Sequence, residues 1–502
     1  MSLDSILGTA ASGLAVIDRH LAVVSQNVAN AGTAGYARQV VADSDLNAGG
    51  LGFGVRSGPT TQAVDAALSD ALDRESANAS GLEVRSAALA TIDAVQGKTG
   101  AGEDLASRVG ALRDAFTALG ADPANQANQA AIVTAANVLA GGVRVQASAY
   151  ATARQGAQDG LVRDVSALNA AVAAIGSISD RIIAAMARGE STADLEVQRT
   201  VQEQAASALA GLRFLPVVNG DVTVVAGGAI VNTRGTVGPF SVAPANLGPG
   251  SVAPTVLLSG LSAAGQLGGA VGARIALRDT EVPQLQAGLD EFAKTLASRL
   301  DSQGLRLFTD PAGNPPALGG SPVQAGYIGF STTLTVNPVV ASQPNLVRDG
   351  TQTVAPGTGG ASGFTPNPPG GPAGATVLID RILQYGFGAQ AQPGVPQPAP
   401  ASTGLGANGA SSIPYAPSAT LQDFAADLAG HQAQAAGAAQ DALTTGQAVQ
   451  ATLQSKLAGE TGVSVDTELS HMIVLQNAYG ANAKIITAVQ SMWTSLFNAV
   501  TP

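Results

Sequence analysis

Heptad repeats of apolar residues at both ends of the chain constrain its fold most. Near the C-terminus, the apolar residues Val465, Met472, Tyr479, Ile486, Trp493 and Val500 recur every seven positions. Near the N-terminus, apolar residues alternate at spacings of four and three, which is the pattern of a coiled-coil seam. These residues are Leu3, Leu7, Ala10, Leu14, Ile17, Leu21, Val24 and Val28. Each helix of about 30 residues would be ~45 Å long, and we predict that the two pair, either antiparallel or parallel.

The C-terminal helix carries more apolar surface than one seam can bury, because large apolar residues also flank the stripe. We therefore expect a further helix from another copy to cover it, and the ends to fold on assembly. The alternative is that both are core helices of a monomeric bundle, and periodicity does not separate these two cases. The expected assembly residues are Leu3, Leu7, Leu14, Ile17, Leu21, Val24, Val28, Leu469, Met472, Leu475, Tyr479, Ile486, Val489, Trp493 and Leu496.

The length of 502 residues predicts two to four domains. Residues 32–60 are Gly-rich and indicate loop or short strand, whereas helical periodicity dominates from about 61 to 211. Asn219-Gly220 between two β-rich runs predicts a hairpin, and Pro283 opens another helix. We predict a mainly α fold with β-rich insertions and paired terminal coiled-coil helices. The predicted parts are an inner coiled-coil domain (1–35 plus 464–502), a long helical bundle (36–304 plus 418–463) with a hairpin segment near 213–260, and a mostly β, Gly/Pro-rich outer insertion (305–417).

Composition argues against several classes of function. Charged residues make up 12% of the chain and the net charge is −11, so no basic face is expected for nucleic acid or an anionic membrane. Cys is absent, which excludes disulfides and thiolate chemistry. The three histidines, His20, His431 and His471, show no metal-ligand spacing, and GGLGFG at 49–54 lacks the Lys-Ser/Thr of a phosphate loop. We therefore predict no enzyme activity, catalytic residues, cofactor, metal site or membrane insertion.

The N-terminal sequence also carries a motif. In GLAVIDRHLAVVSQNVANAGTAGYARQ, a helix ends in Asn-Val-Ala-Asn and is followed by a Thr-x-Gly-Tyr turn. This stretch resembles the signature shared by the axial proteins of the bacterial flagellum, with Gly32 and Ala34 departing from the common Asn and Pro. The C-terminal ELSHMIVLQNAYGANAKIITAVQSM is similar to the matching terminal signature. Further segments in 1 to about 305 and in 420–502 resemble the hook-associated members, which join hook to filament.

The motif itself predicts a joint, formed by Asn27, Asn30, Thr33, Gly35 and Tyr36. Asparagine amides can bond free carbonyls at the helix end, glycine permits left-handed backbone, and the tyrosine provides an apolar anchor with a polar tip. Such a joint would hold the terminal helices at a fixed angle to the outer domains. The alternative is an ordinary helix end followed by a loop.

The resemblance implies a structural subunit that is exported without a cleaved signal peptide and assembles outside the cell in the flagellum. The implied partners are further copies in a ring or helical lattice, the hook protein, the next junction protein on the filament side, and a cytoplasmic export chaperone at the C-terminal helices, within 440–502. The hook protein or another rod or hook axial subunit is the alternative within this class. A surface enzyme or an adhesive role of 305–417 is the alternative outside it.

Overall fold

The computed structural model describes residues 3–32, 36–48, 51–63, 65–97, 102–235, 238–263, 265–355, 365–368 and 370–500. The fold is mainly helical with small sheets, as predicted. The helices are α1 Leu3–Asn30, α2 Ala66–Gln96, α3 Leu105–Ala121, α4 Gln126–Ala187, α5 Ala193–Ala210, α6 Gly269–Ala276, α7 Val282–Ser302, α8 Phe330–Thr333, α9 Pro338–Ser342, α10 Leu346–Asp349, α11 Val377–Arg381, α12 Leu421–Thr461 and α13 Val465–Val500. The strands are β1 Gln39–Ala48, β2 Leu51–Gln62, β3 Arg213–Pro216, β4 Val222–Ala226, β5 Ala229–Val231, β6 Phe240–Ser241, β7 Leu257–Leu258, β8 Leu261–Ser262, β9 Phe308–Thr309, β10 Thr335–Val336, β11 Gln390–Gln392 and β12 Val395–Pro396.

Side-chain caps start the long helices of the bundle. Asp65 accepts hydrogen bonds from the first backbone N–H groups of α2, Asn125 does so for α4, and Thr420 does so for α12. With 62 residues, α4 is roughly 90 Å long. It therefore runs through both large apolar cores of the molecule.

The first core joins helices from the N-terminal and the C-terminal halves of the chain. It contains buried side chains of α2, α3, the first half of α4, α7 and α12, including an edge-to-face contact of Phe292 with Phe424. The second core lies on the later half of α4. There, Leu161 to Ile175 pack against α5, α6 and the strands β4 to β7. The helical bundle thus includes segments that are far apart in sequence.

The segment 305–417 differs from the expected loosely built β insertion. Its described strands, β9 to β12, have two or three residues each, and short helices and loops fill the rest. Leu307, Phe308, Leu334 and Ile379 are buried in the first core, so the segment is part of the bundle interior. Within STTLTVNPVV, Asn337 caps α9 by accepting from the Val339 N–H and Pro338 occupies its first turn, which favours a helix there over the β-branched pattern.

Two three-stranded sheets follow α5, with orders β3-β4-β5 and β6-β7-β8. Strands β3 and β4 pair antiparallel around Asn219-Gly220, where Gly220 has a φ of +87°. The next helical region starts earlier than Pro283 suggested. α6 continues into α7 through a π-helical segment, Leu277–Glu281, next to the proline, whose missing N–H disturbs regular helix bonding.

Residues 39–48 and 51–62 pair as a long antiparallel hairpin, where the sequence had indicated loop or short strand. β1 and β2 pair from Gln39 with Gln62 to Ala48 with Leu51, with register shifts between Val41 and Asp43 and between Leu46 and Asn47. The Gly, Asp and Asn content lowers intrinsic strand propensity. Packing of this hairpin against α1 provides the context that the local pattern lacks.

Within the described ranges, two helices have the length and composition to cross a membrane, Asp4–Asn30 and the 62-residue helix Gln126–Ala187. The second is a core helix of the bundle, and buried core helices of soluble proteins pass the same test. The first lies near the N-terminus and packs against other elements of this chain. Length and hydropathy are therefore weak evidence for a membrane span here.

Candidate assembly site

The two terminal helices pair, and the pair is antiparallel. Gly13 of α1 faces Asn482 of α13, with a Cβ built on Gly13 lying 3.3 Å from Asn482 Nδ2. Toward the other end, Asn27 contacts Glu468. Residue numbers that increase along α1 therefore face residue numbers that decrease along α13. The prediction of a helix pair is confirmed, and its direction is antiparallel. In this register the last two turns of α13, after Trp493, extend past Leu3, the first described residue.

The seam between the helices keeps the heptad spacing. On α13 it follows 468, 472, 475, 479, 482, 486, 489 and 493. Val489 is 1% exposed, and Met472, Leu475, Ile486 and Trp493 are half-buried. On α1, Ile17 and Val24 are buried and Leu7, Leu14, Leu21 and Val28 are half-buried, whereas the side chain of Leu3 lies outside the described residues.

Much of α13 remains exposed beside this seam. Leu469 and Leu496, two expected assembly residues beside the seam, are 44% and 51% exposed, and the seam residue Tyr479 is itself 39% exposed. At 100° per residue, Val474, Ile485, Met492 and Leu496 fall within about 40° of one another around the helix. We call these four residues the outer stripe; they run along α13 on a flank that α1 does not cover.

At the other end of the pair, Asn27 ties α1 to β1. Its side chain is buried, its Nδ2 donates to the Gln39 carbonyl oxygen at 3.0 Å, and its Oδ1 accepts from the Gln39 N–H at 2.9 Å. Tyr36 Oη also donates to Asn27 Oδ1, at 3.0 Å. Asn30 donates its side-chain amide to the Gln26 carbonyl oxygen, one turn back within α1. Thr33 and Gly35, two more of the predicted joint residues, lie outside the described residues.

A charge pair joins the same place to α13. Glu468, 1% exposed, accepts from Arg38 Nε at 2.5 Å and from Asn27 Nδ2 at 3.3 Å. The Arg38 N–H donates to the Thr461 carbonyl oxygen at 2.8 Å, and Arg38 Nη2 lies 3.3 Å from His471 Nδ1. A single residue after the motif therefore contacts α12 and α13 together. We call Asn27, Tyr36, Arg38, Gln39 and Glu468 the joint cluster.

Two glutamines near the joint cluster contact the start of α5. Gln26 Nε2 donates to Asp194 Oδ1 at 3.3 Å, and Gln62 Nε2 donates to the Ala193 carbonyl oxygen at 3.1 Å. Burial, with the nearby carboxylates of Asp194 and Glu468, raises the pKa of Tyr36 to about 12. The tyrosine hydroxyl thus stays protonated and available as a donor throughout the physiological pH range.

The β1–β2 hairpin also braces α1. Ser12 Oγ accepts from the Val55 N–H at 3.2 Å, and a Cβ on Gly54, which has a φ of +127°, would lie only 2.1 Å from that oxygen. Nearer the joint cluster, His20 Nε2 of α1 lies 3.0 Å from Asp43 Oδ2 of β1. Helix α1 therefore contacts both α13 and the hairpin, and α13 packs against α1 along its seam.

The three histidines do not converge. His20 pairs with Asp43, His471 lies near Arg38, and His431 stacks against Tyr415 in the bundle with ring centroids 5.2 Å apart. Among the residues that the structure describes, no group of three or more His, Asp or Glu side chains is placed to hold a metal ion.

Sequence reasoning missed the roles of Arg38, Gln39 and Glu468. Glu468 offered a signal, since it occupies a seam position of the heptad pattern, where a charged residue needs a partner. Asn482, opposite Gly13, is a second polar residue in the seam. The partners of these residues lie at the opposite end of the sequence, so their identity did not follow from the pattern.

Comparison with known proteins gives matches in two regions. Residues 89–313 match the flagellar hook-associated protein FlgK helical domain, and residues 459–499 match the flagellar basal body rod FlgEFG protein C-terminal family. No curated protein matches the chain. A solved structure of the flagellar hook junction protein FlgK from Burkholderia pseudomallei is similar at 22% identity and a TM-score of 0.40, over 50% of this chain. The chain spans about half, 47%, of that protein's length.

The two matched families agree with the arrangement of the molecule. The FlgK helical-domain match begins near the end of α2 and continues through α7, a region that builds most of the bundle, and the rod-protein match covers α13. The chain therefore contains a helical domain of the flagellar hook-associated FlgK type and a C-terminal segment of the flagellar rod-protein type.

Proposed function

We propose that the protein is a structural subunit of the bacterial flagellum at the junction of hook and filament, and that it assembles with further copies through its terminal helices. The matches to a FlgK helical domain and to a rod-protein C-terminal family support the flagellar role. The observation that carries the assembly role is the distribution of exposed apolar side chains. Among the described side chains, nine large apolar ones of the 36-residue α13 are exposed, against three on the 62-residue α4.

The physical argument follows from this contrast. Burying a large apolar side chain contributes about 1.5–3 kcal/mol, and soluble monomers rarely leave a continuous apolar strip uncovered. The outer stripe has the spacing of a helix-packing surface, and α1 is already held on the opposite flank. A helix of a neighbouring copy in a lattice would cover the outer stripe and the projecting last turns of α13.

Paired substitutions test this proposal in a motile strain. Ile485→Gln with Met492→Gln should leave the purified chain folded, because both side chains are exposed, 44% and 48%. The same variant should abolish swimming in soft agar and release unassembled filament subunits into the medium. The matched control is Val138→Gln with Val145→Gln on α4, which are 52% and 56% exposed and should have no effect. Normal filaments with the α13 variant would refute the assembly role.

The hook protein or another axial subunit is the second candidate, because the C-terminal match is to a rod-protein family. Electron microscopy of a deletion strain separates the two. A junction subunit leaves intact hooks without filaments, whereas loss of a hook or rod subunit leaves no hooks.

We also propose that the protein is exported without a cleaved signal and that its export chaperone binds within 440–502. The exposed apolar faces of α13 support this, since they would need protection before assembly. A truncation ending at Ala458 should lose chaperone binding in a pull-down, while a deletion of the hairpin 39–62 should retain it. Undiminished binding by the truncated chain would place the chaperone site elsewhere.

A further inference from the structure

Helix α7 carries a buried arginine without a countercharge. The Arg299 side chain is 6% exposed, and its Nη1 donates to the Ala419 carbonyl oxygen at 2.7 Å. Its Nη2 is fully buried and has no hydrogen-bond partner. Burial lowers the pKa of Arg299 to about 10, and no nearby carboxylate offsets this shift.

The other two buried arginines in the described part of the chain are arranged differently. Arg278 donates to both carboxylate oxygens of Asp279, at 2.7 and 2.8 Å, and Arg306 Nε donates to Asp301 at 3.0 Å. This is the usual solution, because an isolated buried charge costs several kcal/mol. Arg299 therefore lacks the negative partner that both of its counterparts possess.

A second donor beside Arg299 is also unused. Thr295 lies one turn earlier on the same face of α7, is 6% exposed, and its Oγ1 is buried without a partner. Elsewhere in the bundle, threonine hydroxyls such as Thr117 and Thr134 donate to the carbonyl oxygen four residues earlier. The Thr295 hydroxyl and the Arg299 guanidinium thus leave donors unused on one face of the helix.

The positive end of a long helix lies beside them. Ala419, the residue that Arg299 contacts, directly precedes Thr420, the N-cap of the 41-residue α12. The two acids in the first turns of α12 bond elsewhere: Asp423 accepts from the Thr420 hydroxyl and Asp427 from the Ser418 N–H. The N-terminus of α12 therefore adds partial positive charge next to the buried guanidinium of Arg299.

We propose that Thr295, Arg299 and the N-terminal end of α12 bind a small inorganic anion of the halide class. The anion would accept from Arg299 Nη2 and Thr295 Oγ1 and would supply the missing negative charge. It would thereby stabilise the contact between α7 and the start of α12. The enclosure of both side chains favours a compact monovalent ion. The site is independent of the flagellar role proposed above.

The test measures thermal unfolding of the full-length chain by circular dichroism in sodium chloride and in sodium gluconate at equal ionic strength. A bound halide predicts a higher Tm in chloride, rising on the order of 1 °C for each tenfold increase in chloride. Thr295→Val and Arg299→Met should lose this dependence. Arg188→Met removes an equal charge from the surface, where Arg188 pairs with Glu190, and should keep it.

A direct measurement covers the case in which Arg299→Met fails to fold. A crystal of the wild-type chain grown with bromide should show an anomalous peak within hydrogen-bond distance of Arg299 Nη2. Equal Tm values of the wild type in both salts would overturn the proposal. An ordered water at this position without anomalous signal would do the same.

Discussion

Replacement of Glu468 by glutamine should weaken the terminal helix pair. The substitution keeps the shape of the side chain but removes the charge that Arg38 Nε contacts at 2.5 Å and Asn27 at 3.3 Å. A hydrogen bond to a charged group contributes about 1.5–3 kcal/mol. Because Arg38 is 31% exposed, solvent screens part of the interaction, and we expect a loss of about 2 kcal/mol.

Trp493 provides the assay, because it is the only tryptophan of the chain and lies in the seam of α13. Urea unfolding followed by its fluorescence reports opening of the terminal pair, while far-UV circular dichroism is dominated by the bundle. Glu468→Gln should lower the urea midpoint of the fluorescence transition more than that of the dichroism transition. A double-mutant cycle with Arg38→Gln should give a coupling of roughly 1–2 kcal/mol.

The control is Asp18→Asn, which removes one charge from an exposed position of α1. It should leave the fluorescence midpoint unchanged. A Glu468→Gln midpoint equal to that of the control, or additive effects of the Glu468 and Arg38 substitutions, would refute the reasoning. Either result would mean that the pair contributes nothing to holding α13 against α1.

Two further predictions concern the bundle. Gly176→Ala should destabilise the chain by about 1–3 kcal/mol or more, because its Cβ would lie 2.2 Å from the Thr233 carbonyl oxygen. The control is Gly141→Ala in the same helix, where a Cβ meets nothing within 4 Å, and it should increase the free energy of unfolding by up to ~1 kcal/mol. Thermal unfolding that ranked the two variants in the reverse order would contradict the packing. Burial, with repulsion from Asp73, raises the pKa of Glu203 from 4.5 to about 7. The native state then binds this proton more tightly than the unfolded chain, so the free energy of unfolding should fall as pH rises from about 4.5 to 7, by up to about 1.4 kcal/mol per unit. In urea titrations across this pH range, Glu203→Gln should flatten the slope of the free energy of unfolding against pH. An unchanged slope would exclude Glu203 as the source of the pH dependence.

The terminal helices were predictable because helix geometry alone sets the spacing of their seam residues. The 4-3 pattern from Leu3 to Val28 depends on no distant part of the chain. The surplus of apolar residues on α13 was equally visible, because a single helix can bury only part of its circumference against one partner. The direction of pairing was not predictable, since two heptad seams fit one another either way and polar contacts such as that of Asn27 with Glu468 decide between them.

The hairpin 39–62 and the segment 305–417 depend on partners that the local sequence does not show. Strand propensity in the hairpin is low, and its contacts with Ser12 and His20 compensate only once α1 is in place. In 305–417, frequent Gly and Pro suggested a loose insertion. The buried Phe308 and Ile379 are separated by long irregular stretches, so no periodicity marked them as core residues.

The joint cluster shows most clearly why part of the site escaped prediction. Asn27 was expected to cap its own helix, yet its amide bonds both backbone groups of Gln39, and Glu468 reaches the same amide from 441 positions away. Glu468 also occupies a seam position, so one side chain belongs to the helix seam and to the joint. Opening of the terminal pair must therefore release Arg38 and loosen the angle between the pair and the bundle. A seam substitution at Val489, far from the joint along α13, should weaken the pair and leave that angle intact.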